Sequence, residues 1–490
     1  MKNVKIATFL KERKIKLKPD EANNSNLKRI EKIDFAGNIT MAPTKTKTDM
    51  ILVKKGDLVI SGINVEKGAL TIYQGEEDVL ASIHYSAYEF DETQIYILYL
   101  KYFLKSREFR KLLIEQSGSG IKNEIKAKHI LPLEIKLPSM QEQHRIVERI
   151  QAVENDIVEL DKEVIQQYEY CKNLRQSILQ QAVEGKLCEQ NPDDEPASVL
   201  LEKIKKEKDE LIKEGKIKKQ KNLPPVSDEE KRFDIPYNWE WCKINDISFV
   251  TKLAGFEFTK YFSLTDYGEV PVIRAQNVRK NRIDTTNLLY IDMKTSKLLN
   301  RCALDKKCLL MTFIGAGIGD VAIFDEKQRF HLAPNVAKIE LYGCVEEYIL
   351  YFLLSTSGQK EIFKYHKATA QPSLSMETIR EICIPIPPLQ EQRRIVEKVN
   401  GLIILCDKLE KEVANIQQYA TQLMESVLQE AFTNDEQAME EQPKHNGKII
   451  PIRAEQKAEL RFAMAARGKI KQSTLESLQK RAIEIANGEV

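Results

Sequence analysis

The chain has 490 residues, of which 42% are hydrophobic and 30% are charged, and its formal net charge is only +2. This length allows several domains, and the balanced charge excludes a uniformly polycationic protein, so any nucleic-acid surface must be local. No apolar run approaches a membrane span and no signal peptide is recognisable, so we expect a cytoplasmic protein without a membrane partner. The eight cysteines form no Cys-x-x-Cys pair and the six histidines lack ligand spacing. These patterns favour reduced thiols and predict no metal site.

The first predicted domain covers residues 1–136 and opens with a strongly basic stretch. Short strand-like runs such as 50–53 and 58–60 are separated by glycine-containing turns, and a helix is predicted around 95–113. A Ser-Gly-Ser-Gly loop at 117–120 follows this helix. The alternation of short strands and helices predicts an α+β domain.

A stretch of the chain then occurs twice, at 137–183 and at 386–432, and the two copies align with each other without a gap. Each copy begins at proline, which suits a helix start, and continues with apolar residues at alternating steps of four and three. The sequence therefore predicts long helices over 137–187 and 386–432 that fold back on each other as a coiled coil. The alternative is two unrelated amphipathic helices in separate cores.

The second predicted domain, 236–385, repeats the plan of the first. Leu58 and Leu309 are 251 positions apart, and a Tyr-Ile-Leu-Tyr sequence occurs at 96–99 and again at 348–351. The first domain has no counterpart to Pro-Tyr-Asn-Trp at 236–239, so its first strand is expected to be clipped or to start differently.

Two further segments complete the chain. Residues 188–235 are predicted to be an exposed charged linker with a helix near 199–214. Its basic run at 216–221 is more typical of a solvated linker than of a DNA contact. Residues 433–490 are predicted to be a helical or disordered tail, to which we assign no role.

These repeated motifs resemble those of the specificity subunit of type I restriction-modification enzymes. The resemblance lies in Pro-Pro-Leu-Gln-Glu-Gln-Arg-Arg-Ile-Val from Pro387, its earlier echo, the motif at 236–239 and Asp-Glu-Pro at 194–196, and it covers about residues 1–432. It implies an α+β fold with two target recognition domains separated by an antiparallel coiled coil, in an internal pseudo-twofold repeat.

The resemblance also implies a function in host defence. Each recognition domain would read one half of a split double-stranded DNA site, while the helix pair sets the spacer and docks two methyltransferase (modification) subunits. This chain would be non-catalytic and would bind no cofactor directly. The partners would use S-adenosylmethionine for adenine N6 methylation, and the restriction/translocase subunits would use ATP and Mg.

Geometry supports the same expectation without the resemblance. Two similar domains on a stiff spacer would contact DNA about one helical turn apart and leave the base pairs between them unread. Because the two domains differ in sequence, the two half-sites should be unlike.

Candidate DNA contacts concentrate in one basic, amide-rich stretch without acidic residues, 274–282, because Arg, Asn and Gln can bond base edges in pairs. The alternative is an ordinary polar strand and turn. We expect a matching region from Lys28 through Asn38 in the first domain, and further contacts after the second domain's helix. The candidate residues are Arg274, Gln276, Asn277, Arg279, Lys280, Arg282, Lys28, Arg29, Thr369 and Gln371.

Two motifs have competing interpretations. The glycine-rich stretch 315–319 lacks the Lys-Ser/Thr of a phosphate loop, so it is predicted to be a structural loop. The repeated Gln-Glu-Gln motif lies in the first turn of each long helix, where it would serve either helix structure or partner docking. Its residues are Gln141, Glu142, Gln143, Gln390, Glu391 and Gln392.

Other functional classes remain open from the sequence. A stand-alone adenine methyltransferase would need an Asp/Asn-Pro-Pro-aromatic motif, and Asn-Leu-Pro-Pro at 222–225 is not one. A nuclease would need clustered carboxylates and a lysine on strands, whereas the acidic run at 193–195 is in the linker. A structural coiled-coil adaptor would leave the duplicated domains unexplained. No catalytic residue is therefore predicted.

Overall fold

The computed structural model describes residues 2–43, 45–117, 124–364 and 373–432. The chain divides into two compact units, which we call unit 1 (residues 2–167 and 412–432) and unit 2 (Tyr168–Lys411). Among the described helices, none is both long enough and apolar enough to cross a membrane. The same residues contain no cluster of His, Cys, Asp and Glu suited to a metal ion. The predicted tail and the loop at 118–120 lie outside the described residues.

Unit 1 is an α+β structure. Its strands are β1 (Lys2–Lys5), β2 (Leu10–Glu12), β3 (Lys16–Leu17), β4 (Arg29–Ile33), β5 (Ile39–Ala42), β6 (Met50–Val53), β7 (Leu58–Ser61), β8 (Leu70–Ile72), β9 (Val79–Ser82), β10 (Tyr85–Phe90) and β11 (Glu134–Leu137). Its helices are α1 (Pro19–Asn24), α2 (Ile97–Lys105), α3 (Arg107–Ser117) and α4 (Ala127–Ile130). The strand orders are β1-β11, β2-β10-β7-β8 and β3-β6-β9-β4-β5.

Two helices follow in the chain, α5 (Met140–Val183) and α6 (Ala197–Lys213). The strands of unit 2 are β12 (Glu240–Lys243), β13 (Ser248–Lys252), β14 (Val270–Ile273), β15 (Val278–Arg279), β16 (Arg282–Ile283), β17 (Leu289–Ile291), β18 (Ala303–Leu304), β19 (Cys308–Thr312), β20 (Val321–Phe324), β21 (Phe330–Leu332), β22 (Val336–Leu341) and β23 (Cys383–Ile386). Its helices are α7 (Ile244–Ile247), α8 (Gly255–Tyr261), α9 (Met293–Leu298), α10 (Glu346–Leu354), α11 (Thr356–Ile362) and α12 (Met376–Arg380). The last helix, α13 (Leu389–Phe432), begins in unit 2 and ends in unit 1, whereas α5 begins in unit 1 and ends in unit 2.

The strand register confirms that unit 2 repeats the plan of unit 1. Its sheet β13-β22-β19-β20 has the order of β2-β10-β7-β8. Val59 pairs with Ala87 in unit 1, and Leu310 pairs with Lys338 in unit 2. Each residue of the second pair lies 251 positions after its counterpart. Both units also contain one parallel strand pair, β4 with β9 and β14 with β21.

The expectation of a clipped first strand is wrong. β1 is four residues long and pairs through its whole length with β11, as β12 does with β23. Beyond the strand, the Ile6 amide donates to the Leu133 carbonyl at 2.9 Å, and the Ile244 amide donates to Ile382 at the same distance. The motif at 236–239 therefore precedes an element that both units possess.

The helix predicted around 95–113 is two helices, and the proposed match of its tyrosines is out of register. Ser106 separates α2 from α3, and its hydroxyl donates to the Phe103 carbonyl at 2.6 Å. Ser355 makes the same bond to Phe352 after α10 at 2.7 Å. Ser106 and Ser355 are 249 positions apart, and so are Phe103 and Phe352. At this offset Tyr99, not Tyr96, corresponds to Tyr348. The sequence match failed because aromatic residues recur at three-residue steps along this helix.

The long helices α5 and α13 contact each other within each unit. In unit 1, Leu160 and Val164 pack with Val413 and Ala420, and Arg149 forms a 2.8 Å ion pair with Glu430. In unit 2, Arg175 donates to Glu410 at 3.1 Å and also to Asp407. In unit 1 the partners run in opposite directions along the two helices.

The predicted apolar pattern is buried only in part. Val399, Cys406, Val413 and Ala420, at steps of seven, are all buried on α13. Leu409 and Ile416, from the second predicted line, are 37% and 38% exposed. The two helices thus bury one line of apolar residues and leave part of the other open.

The linker between the repeats is not simply exposed. Ala197, Leu200 and Ile204 of α6 are buried in the core of unit 2. Asp194 is also buried and accepts two hydrogen bonds from Arg394, at 3.2 and 2.5 Å. The charged composition of the linker did not indicate that α6 packs on unit 2, because the apolar residues occupy only one face of this helix.

Candidate nucleic-acid interface

The basic stretch of unit 2 forms a hairpin that projects after a buried strand. β14 is buried along its length, and a 3-10 turn at Ala275–Asn277 leads into β15 and β16. Arg279 pairs with Arg282 across a two-residue loop. Asn281 in that loop has φ +58°, a left-handed conformation that Asn tolerates better than most residues. Its amide donates to Val321 of β20 at 2.9 Å, which fixes the hairpin to the sheet.

The hairpin presents cations and an amide to solvent. Gln276, Arg279, Lys280 and Arg282 are all exposed. The nearby Asp320 carboxyl has its pKa raised by burial, an effect that the positive charges of Lys280 and Arg279 oppose. An exposed group of this kind can bond phosphates and base edges.

Asn277 does not lie on this surface, which corrects its prediction as a DNA contact. Its side chain is only 2% exposed. Its Oδ1 accepts from the Arg274 amide at 3.0 Å, and its Nδ2 donates to the Asp284 carbonyl at 2.8 Å. The side-chain amide of Asn277 therefore stabilises the base of the hairpin through these two hydrogen bonds.

Arg274 has a mixed position. Its Nη2 donates to the Asn287 carbonyl at 2.8 Å, and its Nε is buried without a hydrogen-bond partner among the described residues. The guanidinium therefore supports the chain after the hairpin, although the residue is half-buried rather than enclosed.

The glycine-rich stretch forms the loop between β19 and β20, beside the hairpin. Gly315 and Gly319 have φ values of +110° and +82°, which explains the use of glycine. A side chain at Gly319 would approach Phe363 to 2.7 Å. Gly68, its counterpart in unit 1, has φ +88°. This geometry agrees with the structural loop predicted from the sequence.

Unit 1 places its predicted residues differently. Ile30 lies opposite Ala81 on parallel strands, as Ile273 lies opposite Leu332. Lys28 and Arg29 consequently correspond to residues inside β14, not to the hairpin. Lys28 is exposed, whereas Arg29 is half-buried and donates from Nε to the Pro43 carbonyl at 3.3 Å.

A short turn replaces the hairpin in unit 1. Residues 34–38 connect β4 to β5, and Gly37 has φ +97°. Phe35 in this turn is 51% exposed, and the Lys67 ammonium lies 5.6 Å from its ring centroid. The two units therefore present unlike side chains at this position of the same fold.

The remaining candidates lie near the limit of the described chain. Thr369 and Gln371 lie outside the described residues. Ser373 forms a β-bridge with Ile314, next to the glycine-rich loop. Ser375 caps α12 by accepting from the Thr378 amide at 2.9 Å.

Sequence reasoning missed one cation near this surface. Lys252, at the end of β13, is exposed and places its ammonium 5.1 Å from the centroid of the Phe313 ring. Phe313 in turn accepts a backbone bond from Leu374 at 2.9 Å. A single lysine at a strand end carries no sequence signal that separates it from the rest of the 75 lysines and arginines.

The Gln-Glu-Gln motif is partly structural. Gln143 accepts from the Tyr96 amide at 2.8 Å and donates to the Pro138 carbonyl at 3.1 Å. Gln392 accepts from Val345 at 2.9 Å and donates to Pro387 at 3.0 Å. Both glutamines are fully buried, so they join each helix to the preceding domain and are not docking residues.

The other motif residues differ between copies. Gln141 and Gln390 are exposed and Glu142 is half-buried. Glu391 is fully buried and accepts from Trp239 Nε1 at 2.9 Å and Gln190 Nε2 at 2.6 Å. Burial raises the pKa of Glu391, and these two hydrogen bonds oppose the shift. Glu391 is thus also excluded as a docking residue.

Two copies of one α+β plan, each followed by a long helix, define a recognisable class. Residues 3–170 and 236–418 match the family model described as the type I restriction modification DNA specificity domain. The chain belongs to this family.

Individual relatives agree with this assignment. The chain is 32% identical over 264 residues to the specificity subunit of the type I restriction enzyme EcoAI from Escherichia coli, covering 53% of this chain and 44% of that protein. It is 30% identical over 272 residues to the EcoEI specificity subunit from the same species, covering 53% and 45%. The chain thus matches less than half the length of these two curated relatives.

The fold is also similar to a solved chain from work on complex assembly and conformational transition of the type I R-M system. The TM-score is 0.57, with 13% sequence identity, and the match covers 89% of this chain and 98% of that one. At this identity the likeness concerns the fold.

Proposed function

We propose that this chain is the DNA-specificity subunit of a type I restriction-modification complex, with one recognition domain in each unit. The observation that carries the proposal is the exposed cluster of Gln276, Arg279, Lys280 and Arg282 on a hairpin anchored to the sheet. Guanidinium and amide groups held on a fixed element are suited to reading base edges in the major groove.

The two half-sites are unlike on this proposal. The difference between the hairpin of unit 2 and the short turn of unit 1 supports it, because different side chains at one position of a fold select different bases. The protein reads an asymmetric bipartite site in double-stranded DNA.

The long helices set the spacer between the half-sites on this proposal. The antiparallel helix contacts in unit 1 and the ion pairs of Arg175 in unit 2 support it, since paired helices resist bending more than single ones. The chain itself is non-catalytic and binds no cofactor, and S-adenosylmethionine, ATP and Mg serve the partner subunits.

Two methyltransferase subunits dock on the long helices in this proposal, and the restriction/translocase subunits join the same complex. Exposed apolar side chains support this role, namely Val158 and Ile165 in unit 1 and Ile404 and Leu409 in unit 2. Exposed apolar patches of this kind mark sites of protein association. Gln141, Glu142 and Gln390 remain candidates at the helix starts.

The DNA role is tested by changing Arg279, Lys280 and Arg282 together to alanine. Each lost phosphate contact lowers the slope of log K against log salt by about 1, so the triple variant should lose up to about 3. Lys327→Ala, an exposed lysine in the turn at the other end of β20, is the matched control. Equal affinity and slope for the triple variant and the control would contradict the assignment of this surface.

The class of protein is tested separately. The purified chain, incubated with DNA and S-adenosylmethionine, should transfer no methyl group until a modification subunit is added. Methyl transfer by the chain alone would favour the stand-alone methyltransferase. Footprints of the complex should show two protected segments, and one continuous segment would count against two separated half-sites.

A further inference from the structure

The start of α5 and the start of α13 carry the same charged pair in different surroundings. Glu142 and Arg145 occupy the positions of Glu391 and Arg394, 249 residues earlier. In unit 2, Gln190 bonds Glu391 and Asp194 bonds Arg394 bidentately, so the chain that leaves α5 covers this pair.

The pair in unit 1 has no such cover from the described residues. The Arg145 side chain is 81% exposed and that of Glu142 is 45% exposed, and their charged atoms approach only to 3.9 Å. Gln141, Glu142, His144, Arg145 and Glu148 line a cavity at this place. The structural glutamine between them, Gln143, keeps the bonds of its counterpart, so the two helix starts are otherwise built alike.

The chain that leaves α13 has a composition that suits this site. The path in unit 2 runs from Val183 through Gly185, whose φ is +70°. Asn434 stands at the equivalent position after Phe432, and Asn adopts left-handed conformations more readily than other non-glycine residues. Residues 433–443 contain four carboxylates and no lysine or arginine, which complements an exposed arginine.

Length also agrees. Gln190 and Asp194 lie seven and eleven residues after Val183, and the same interval after Phe432 contains Glu440, Glu441 and Gln442. The interval therefore offers the amide and the carboxylate that the occupied site uses. Phe432 itself packs in unit 1 against the rings of Tyr99 and Phe103, in the core that also holds Val147 of α5.

We propose that residues 433–443 bind the start of α5 in unit 1, with Glu440 or Glu441 pairing with Arg145 and Gln442 bonding Glu142. The segment occupies in unit 1 the place that residues 184–194 occupy in unit 2. This binding is independent of DNA recognition and needs no partner subunit.

The test is photo-crosslinking of the full chain with p-benzoylphenylalanine at position 141. Crosslinked peptides from 433–450 are expected within one molecule, as shown by mixing isotopically light and heavy protein. The same crosslinker at position 390, the equivalent residue, should capture residues 184–196 and serves as the positive control. Crosslinks only between molecules, which would indicate a second copy as occupant, or none to 433–450, would overturn the proposal.

A charge reversal tests the recognition itself. Arg145→Glu should lower the crosslink yield at least five-fold, Arg145→Lys should retain it, and Glu440→Arg with Glu441→Arg should restore it in the Arg145→Glu background. Unchanged melting temperatures ensure that the variants fold. A yield that Arg145→Glu leaves unaltered would overturn the ionic recognition.

Discussion

Neighbouring amides in the basic stretch of unit 2 have opposite roles. Gln276 is exposed, whereas Asn277 is buried and fully bonded. The sequence correctly indicated a polar, cationic element here, but it could not separate these two residues. Whether an amide meets solvent or backbone depends on the turn conformation, and that in turn depends on contacts distant in the sequence.

Asn277→Ala should lower the free energy of unfolding of unit 2 by about 1–3 kcal/mol, because it leaves the Arg274 amide and the Asp284 carbonyl without their partner. The neighbouring Gln276→Ala is the control and should change it by less than about 0.5 kcal/mol. Denaturant titration measures both. A stable Asn277→Ala protein would show that water replaces the amide.

On the proposed role of the basic hairpin, Asp320 should weaken DNA binding. The Asp320→Asn variant removes one negative charge beside Arg279 and Lys280, so we expect DNA affinity to rise about two- to five-fold at low salt. Direct titration with labelled DNA measures the change. Equal affinities across a range of salt concentrations would place Asp320 away from the bound DNA.

The same substitution predicts a pH effect. Because burial raises the pKa of Asp320, the folded state holds its proton more tightly than the unfolded state. The contribution of Asp320 to the free energy of unfolding is therefore greatest below its pKa in the unfolded chain and falls as the pH rises through its pKa in the folded protein. The stability of Asp320→Asn relative to the parent should increase with pH over this range, as thermal melts at several pH values would show.

Helices were predicted more accurately than their surroundings. The steps of four and three located α5 and α13 because this periodicity is a local property of the sequence. The same pattern placed Leu409 and Ile416 in the helix contact, although they are exposed. The repeat of apolar residues identifies a stripe, but the width of the stripe that a partner covers depends on the crossing of the helices.

Leu160→Ala should destabilise the helix contact in unit 1 by about 2 kcal/mol, because Leu160 packs with Val164 and Val413. Ile165→Ala, at a 63% exposed position of the same helix, should have an effect below about 0.5 kcal/mol. Urea unfolding followed by circular dichroism compares them. Equal effects would mean that this cluster contributes little to the pairing.

The docking of the linker was not predictable from its composition. Asp194 and Ala197 are buried, but the segment is charged, proline-containing and typical of solvated connectors. The partners of Asp194 and Gln190 are Arg394 and Glu391, about 200 residues away. No local pattern reports such long-range pairing.

At the scale of the molecule, duplication with divergence is the main feature. The sheets of the two units share their strand order, although β3 adds a fifth strand to one sheet of unit 1, and their register agrees at the pairs Val59–Ala87 and Leu310–Lys338. The segment between β4 and β5, however, differs in length from that between β14 and β17. The repeat of the fold could be predicted because its strands kept their apolar pattern. The difference between the hairpin of unit 2 and the turn of unit 1 could not be predicted, because the residues inserted in one copy have no counterpart in the other to align with.

On the proposed function, seven residues inserted into each long helix, after Gln167 and after Lys411, should lengthen the spacer between the two half-sites. At about 1.5 Å per residue the addition is about 10 Å, or roughly three base pairs. Mapping of methylated adenines in cells carrying the complex measures the spacing. Retention of the original spacing would show that the long helices do not set the distance between the half-sites.

The paired amide bonds of Gln143 and Gln392 have a consequence for building hybrid proteins. Each glutamine joins the first turn of its helix to the domain that precedes it in the chain. A crossover placed before the helix would therefore separate the buried glutamine from the backbone groups that it bonds. Crossovers placed two or more turns inside α5 or α13 keep each domain with its own glutamine. On the proposed function, chimaeras designed in this way should exchange DNA specificity together with complete domains.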